Sequence, residues 1–414
     1  MSPRPDPALP TSPVKPLTVA AARREMLNHI SPLASEEVAV DGQAVGRVLA
    51  ADVEAQVLLP PWDNSAMDGY AVRAADLGTV PVRLPVVGEM AAGMAPGKVS
   101  ISPGTCAKVM TGAPLPDGAD AVVPYEWTDR GESEVLILER AGSGNAIRRA
   151  GEDLSPGDRI LSAGHRLRPT DLSPLAASGQ GTVSVSKRPR VAVITTGDEI
   201  RPPGTTLGPG EIYDTAGPAV EALIGAAGGE VQMRARVGDN PELVEKVLRE
   251  AASTAELLVT VGGVSVGDHD HVRATVGRLG RLWMWRVAMR PGRPIAFGEF
   301  GGSIFLGLPG NPVSASVTFI LFGAGCLLAM QGVSDPTPPT QIAELLERVE
   351  KPEGLETFHR AILIQRPGQL PGVRVVGSQS SGATLSLARS DALLVLPAKG
   401  ELVEQGAVVE IIPL

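Results

Sequence analysis

Residues 191–200 read VAVITTGDEI, a compact apolar run that ends in a polar, glycine-marked turn. A short run without polar alternation suits a strand buried on both faces, as in a parallel sheet covered by helices. Outward from it the pattern repeats. A helix is predicted over Gly217–Ala227 and a strand over Val231–Val237. A second helix is predicted over Pro241–Ala252, with Asn240 as N-cap and proline at the first helical position. LLVTVGG (257–263) is a further buried strand running into a glycine turn. Strand and helix alternate over about 140 residues, which predicts a doubly wound α/β domain with a parallel sheet. Such folds bind ligands beyond the carboxyl ends of their strands. The polar clusters Thr195 to Glu199, Gly262 to Asp270 and Gly307 to Pro312 fall there.

On the amino side, Val19, Ala22, Met26 and Ile30 predict a helix over Thr18–Ile30 with Thr18 as its cap. Short aliphatic runs cut by Gly and Pro then dominate from residue 38 to 186, among them Val82–Val87, Ala107–Met110, Ala121–Val123 and Val135–Leu138. They predict small β-sheets or barrels. Beyond SDPTPPT (334–340), the runs Phe358–Ile364, Val373–Val376, Ala392–Leu396 and Ala407–Ile412 predict a terminal all-β domain. Met1 to Pro16 has no apolar core and reads as a disordered leader. Ser314 to Met330 is apolar but marginal in length and without flanking positive charge, so it reads as a buried helix and not a membrane span.

Composition narrows the function. The 48 Gly and 37 Pro among 414 residues demand many turns and disfavour a helical bundle. Acidic residues outnumber basic ones, 46 to 37, and aromatic residues make up only 3%. Nucleic-acid binding, which needs cations and stacking faces, is therefore not expected. Cys106 and Cys326 form neither a CxxC pair nor a disulfide framework, which fits a reducing cytoplasm.

Several segments could carry chemistry. GGVSVGDHDH (262–271) offers backbone N–H groups, the Ser265 hydroxyl and two carboxylates, Asp268 and Asp270. It reads equally well as a phosphate cradle or as a tight strand-to-helix connection. His269 and His271 lack a third nitrogen or sulfur ligand and suit a solvated loop better than a metal site. WRVAMRPGRP (285–294) concentrates Arg286, Arg290 and Arg293 in a proline-stiffened setting, which favours an anion site over a solvated charge run. Asp68, Asp153, Asp198, Glu199, Asp214 and Asp239 all lie in turns. Singly, each reads as a turn or cap residue; together they could hold Mg²⁺. His29, His165 and His359 read as structural.

Taken together, PPWDNSAMDGYAV (60–72), VMTGAPLPDGADAVV (109–123), IRRAGED (147–153), TTGDE (195–199), GEIYDT (210–215), GGVSVGDHD (262–270), MRPGRP (289–294) and GLPGNPVSA (307–315) resemble the molybdopterin molybdenumtransferase (molybdenum insertase) family, related to the carboxy-terminal part of gephyrin. They stand in family order, and the resemblance spans Leu17 to Leu414. It implies a multidomain α/β plus β chain of four subdomains, which follow the leader. After the leader (1–16), which has no family counterpart, these are an elongated discontinuous first domain (17–54 and 148–189), an inserted β domain (55–147), a doubly wound molybdopterin-binding α/β domain (190–335) and a carboxy-terminal β-barrel (336–414). The family is homodimeric, with a cleft formed between the pterin domain of one subunit and the inserted domain of the other.

The implied reaction transfers molybdenum from molybdate to the dithiolene of adenylylated molybdopterin and releases AMP with Mg²⁺. By resemblance, Glu199, Asp239 and Asp270 position metal and substrate, and Asp68, Thr111 and Asp153 match functional positions of the amino-terminal half. Asp68 and Thr111 are placed to reach across the dimer cleft. Thr196, Gly197, Asp198, Asp214, Gly262, Gly263, Ser265, Gly267, Pro309, Gly310, Asn311 and Pro312 match the pterin-nucleotide site. Arg286, Arg290 and Arg293 stand where the family often has lysine and, with Arg360 and Ser381, match its anion site. Arg389-Ser390-Asp391 departs from the family's small residue and Asn. The implied partners are a second copy, the adenylyltransferase that delivers substrate and the molybdoenzymes that receive product, with no membrane and no nucleic acid. Two other readings compete: a gephyrin-like dimeric scaffold, and a nucleotide-processing hydrolase sharing only the α/β domain.

Overall fold

The computed structural model describes residues 16–264 and 271–414. The chain forms two compact units, one of residues 37–45 and 51–184, the other of the remainder. In the larger unit the predicted alternation is present. It runs β1 (Arg190–Thr196), α1 (Ala216–Ala226), β2 (Glu230–Val237), α2 (Pro241–Ala252), β3 (Leu257–Val261), α3 (His271–Leu279), β4 (Arg281–Trp285), β5 (Ala296–Phe300) and β6 (Ser303–Leu308). The Asn240 Oδ1 accepts the N–H groups of Glu242 and Leu243, both at 3.0 Å, and so caps α2.

The sheet order is β2–β1–β3–β6–β5–β4. The first four strands are parallel, whereas β5 runs antiparallel to both β6 and β4, so the predicted parallel sheet is corrected to a mixed one. The reason is local. Gly301 and Gly302 join β5 to β6 with φ of 61° and 88°, and a two-residue hairpin turn of that hand permits only antiparallel pairing.

Successive residues of the strands point to opposite faces, and both faces are covered. Val191, Val193, Leu257 and Val259 pack with α1, with the amino-terminal helix Val19–Leu27 and with the apolar helix Pro312–Met330. Ala192, Ile194 and Leu258 pack with α2 and α3. Burial on both faces explains why the strands read as unbroken apolar runs. Pro312–Met330 passes a π-helical turn at Phe319–Gly323, and most of it is buried in this core, as expected for it.

The carboxy-terminal barrel follows. Its strands are β7 (Gln341–Leu345), β8 (Glu356–Ile364), β9 (Gly372–Val375), β10 (Ala392–Leu396) and β11 (Val408–Pro413). They pair in the order β8–β9–β7–β11–β10, and β10 returns to β8, which closes the barrel around Leu345, Ala361, Val373, Leu394 and Ile411. Closure leaves no free edge.

The smaller unit holds a five-stranded sheet ordered Ala121–Pro124, Gly69–Val72, Cys106–Val109, Val82–Met90 and Glu134–Ile137. Tyr70, Val72, Leu84, Val123 and Val135 form its core. Cys106, here, and Cys326, in the apolar helix, are both buried, and burial pushes each thiol up to about 12.

One buried carboxylate of this unit, Asp171, yields a pH prediction. Asp171 accepts hydrogen bonds from the Arg168 guanidinium at 2.8 Å, the Arg168 N–H at 2.8 Å and His165 Nε2 at 2.6 Å. The Arg168 guanidinium is the main reason that its carboxyl is held far below the usual carboxylate range. A depressed folded-state pKa stabilises above the unfolded value and is lost as pH falls through the folded one. Asp171→Asn is therefore expected to cost about 2 kcal/mol at pH 7. The thermal midpoints of the two proteins should converge on acidification below about pH 4. A gap that stays constant with pH would contradict this account.

Candidate active site

Strands β1, β3 and β6 are parallel neighbours, so their carboxyl ends meet at one edge. Thr196 closes β1, and its hydroxyl donates to the Val261 carbonyl at 3.4 Å. The Gly262 N–H donates to the Leu308 carbonyl at 3.0 Å. Gly262 has φ +94°, and a Cβ there would stand 2.7 Å from the Thr196 hydroxyl, so a side chain would both strain the turn and fill the space between strand ends. A Cβ on Gly310 would lie 3.6 Å from the Gly262 Cα, which places the Pro309–Pro312 turn at the same spot. Thr196, Gly262, Gly263, Gly310 and the adjoining Gly197, Pro309, Asn311 and Pro312 thus share one end of the sheet. Ser265, Gly267 and Asp270 lie outside the described residues.

The carboxylates are distributed around this edge. Asp198 Oδ1 accepts the Asp239 N–H at 3.1 Å and so ties the turn after β1 to the turn after β2. Glu199 is exposed, and its carbonyl accepts the Ile212 N–H at 2.9 Å. Asp214 spends one oxygen on the Gly217 N–H at 2.8 Å, in the first turn of α1, which is cap behaviour.

The arginines divide between two places. The short strand Met289–Arg290 pairs in parallel with the start of β8, joining the RPGRP loop to the barrel. Next to it, His359 is lowered to about 4 by burial, by Arg360 and by Arg290, so its imidazole is neutral. Arg360 is completely buried. Its Nε donates to Ser386 Oγ, and its Nη2 to the carbonyls of Ser378 and Ser380, each at 3.1 Å. Its Nη1 has no partner among the described residues. Burial lowers this guanidinium to about 10, which still leaves it charged at neutral pH. The Val313 N–H donates to the Ser381 carbonyl at 3.2 Å, which brings Ser381 to the start of the apolar helix beside Asn311 and Pro312. Burying a cation among neutral partners is costly. A donor left over beside it is what an oxyanion receptor requires.

Arg286 lies elsewhere, on the Trp285 ring, with its guanidinium carbon 4.1 Å from the centroid. Its φ is +71°, and its N–H donates to the Ile295 carbonyl at 3.0 Å. Arg273 of α3 lies 4.2 Å from the same ring. Arg273 and Trp285 were not anticipated from the sequence. The signal available was the scarcity of the residue, since the chain has only four tryptophans and this one adjoins an arginine. Arg293 is exposed, and its carbonyl accepts the Val287 N–H at 3.1 Å.

In the smaller unit, Asp68 Oδ1 accepts both the N–H and the hydroxyl of Thr111, at 2.7 and 2.8 Å. The Thr111 N–H and then its hydroxyl hold the Asp68 carboxyl below its ordinary range. Asp63 pairs with Arg149 at 2.5 Å, and the Asp153 N–H donates to the Leu59 carbonyl at 2.9 Å. The segments 60–72, 109–123 and 147–153 are thereby knit together.

Three family models match in succession: the MoeA N-terminal region (domain I and II) over 17–179, a probable molybdopterin binding domain over 192–328 and the MoeA C-terminal region (domain IV) over 343–414. Molybdopterin molybdenumtransferase 2 of Mycobacterium tuberculosis is 40% identical over 365 residues, covering 86% of this chain and 89% of that one. Molybdopterin molybdenumtransferase of Haemophilus influenzae is 35% identical over 400 residues, covering 96% and 98%. The crystal structure of a molybdopterin biosynthesis protein of Pyrococcus horikoshii OT3 superposes with a TM-score of 0.82 at 28% identity, covering 97% of this chain and 100% of that one. A matched α/β domain of this kind, flanked by both terminal regions, defines a pterin-handling biosynthetic transferase. The chain belongs to the molybdopterin molybdenumtransferase family and acts in molybdenum cofactor biosynthesis.

Proposed function

We propose that this chain inserts molybdenum from molybdate into adenylylated molybdopterin and releases AMP with the assistance of Mg²⁺, as a homodimer in the cytoplasm. The observation that carries the proposal is Arg360, a fully buried cation with an unused Nη1 donor and no acidic partner among the described residues. A bound anion would offset the desolvation cost of such a group. Ser381, Arg290 and Arg293 act with it as the oxyanion site. The turn formed by Thr196, Gly197, Asp198, Gly262 and Gly263, with Asp214 and Pro309 to Pro312, receives the pterin nucleotide. Asp68 and Thr111 serve the reaction across the dimer cleft, and Asp153 is a further functional position of the amino-terminal half. The domain boundaries at 54, 147, 189 and 335 are proposed with the same reading.

Glu199 and Asp239 extend from turns after neighbouring strands and offer only oxygen ligands, a donor set suited to Mg²⁺ shared with phosphates. They and Asp270 would hold it, and a bound Mg²⁺ would neutralise charge on the departing AMP. The protein's own task is to hold two anions together against their repulsion, which the arginines and the glycine-turn amides do. A delivering adenylyltransferase and receiving molybdoenzymes complete the proposed partners.

Purified protein given adenylylated molybdopterin is expected to release AMP only when both molybdate and Mg²⁺ are present. Release without molybdate, from simple nucleotides as well, would replace this reading with a nucleotide hydrolase. Binding without any release would favour a scaffold.

A further inference from the structure

Two cations share one indole beside the glycine turn. The guanidinium carbons of Arg273 and Arg286 lie 4.2 and 4.1 Å from the Trp285 ring, so they are at most about 8 Å apart. The ring is itself anchored to the turn, because Trp285 Nε1 donates to the Val264 carbonyl at 3.0 Å. The Arg273 N–H donates to the neighbouring Gly263 carbonyl at 3.1 Å. Neither guanidinium has a carboxylate partner among the described residues. The Arg273 Nε is shielded from solvent and makes no hydrogen bond among them. The two like charges repel, and an anion between or beside them would offset that repulsion. An aromatic face keeps both side chains ordered without neutralising either.

We propose that Arg273 and Arg286, held on Trp285, grip the phosphoanhydride of the pterin nucleotide, and that Arg273 makes the chain select the adenylylated pterin over the pterin monophosphate. This rests on the adenylylated-substrate reading above. An anhydride carries two phosphoryl groups a few ångströms apart and can give each fork its own, whereas a phosphate monoester offers both forks a single group. Arg273 is a specificity residue here and takes no part in bond cleavage.

The test is titration of the full-length protein with adenylylated molybdopterin and, separately, with molybdopterin, at several salt concentrations. Arg273→Ala should raise the Kd for the adenylylated ligand about tenfold and that for molybdopterin less than about twofold, with a shallower salt dependence for the former. Arg273→Lys keeps the charge and the stem but loses the stacked fork, and should show a selective loss of about threefold. It covers the case in which the alanine variant fails to fold. Equal losses for both ligands, or no loss in either variant, would overturn the proposal while leaving the insertase reading intact. A wild-type protein that binds both ligands equally well also overturns it. A wild-type protein that binds neither overturns both.

Discussion

Replacing Arg360 by methionine is expected to abolish the response of the protein to molybdate while the protein stays folded. In the wild type, an anion that binds only the folded state should raise the thermal midpoint; at a concentration of 100 Kd the stabilisation is about 2.7 kcal/mol. The variant should melt at one temperature with or without molybdate, and AMP release should fall by about 10²-fold or more. Two opposed terms act on stability itself. Removing the guanidinium leaves the Ser378 and Ser380 carbonyls and the Ser386 hydroxyl without their donor, at about 1–3 kcal/mol for each group that water cannot reach. It also removes an uncompensated buried charge, whose desolvation costs several kcal/mol. The net change should stay within about 2 kcal/mol. An Arg360→Met protein that still gains the full molybdate shift would show that the oxyanion binds elsewhere.

Glu199→Gln should separate chemistry from binding. Glu199 is exposed and uses its backbone carbonyl, not its carboxylate, to hold the following segment through Ile212. The isosteric change should therefore move stability by no more than about 0.5 kcal/mol. AMP release should fall by about 10²-fold or more, while the Kd for adenylylated molybdopterin stays within about threefold. If Glu199 holds Mg²⁺, part of the lost rate should return as Mg²⁺ is raised. Equal losses in binding and turnover, insensitive to Mg²⁺, would make it a substrate-positioning residue instead.

The α/β domain was legible because its information is local. Asn240 and Pro241 specify a helix start in two letters, and the doubly covered strands cannot hide their apolar runs. The antiparallel edge was written in Gly301-Gly302, but short strands give direction only through their connections, and that turn was not read. Barrel closure depends on β10 pairing with β8 across 30 intervening residues or more, which no local pattern encodes. In the site, the glycine turns and the RPGRP loop stood out by composition. Arg273 did not, because an arginine in the first turn of an amphipathic helix looks like a solvated face until Trp285 arrives from a later strand. Arg360 looked no different from any strand arginine; only its complete burial sets it apart.

The sealed state of Cys106 and Cys326 bears on the cargo. A dithiolene is a soft, easily oxidised ligand, and any accessible thiolate of the host would compete with it for molybdenum or trap it as a mixed disulfide. With both sulfhydryls walled into aliphatic cores and protonated far above neutral pH, the chain presents no rival sulfur. Mild oxidant should then spoil the pterin and spare its carrier, so that fresh substrate alone revives a stalled preparation.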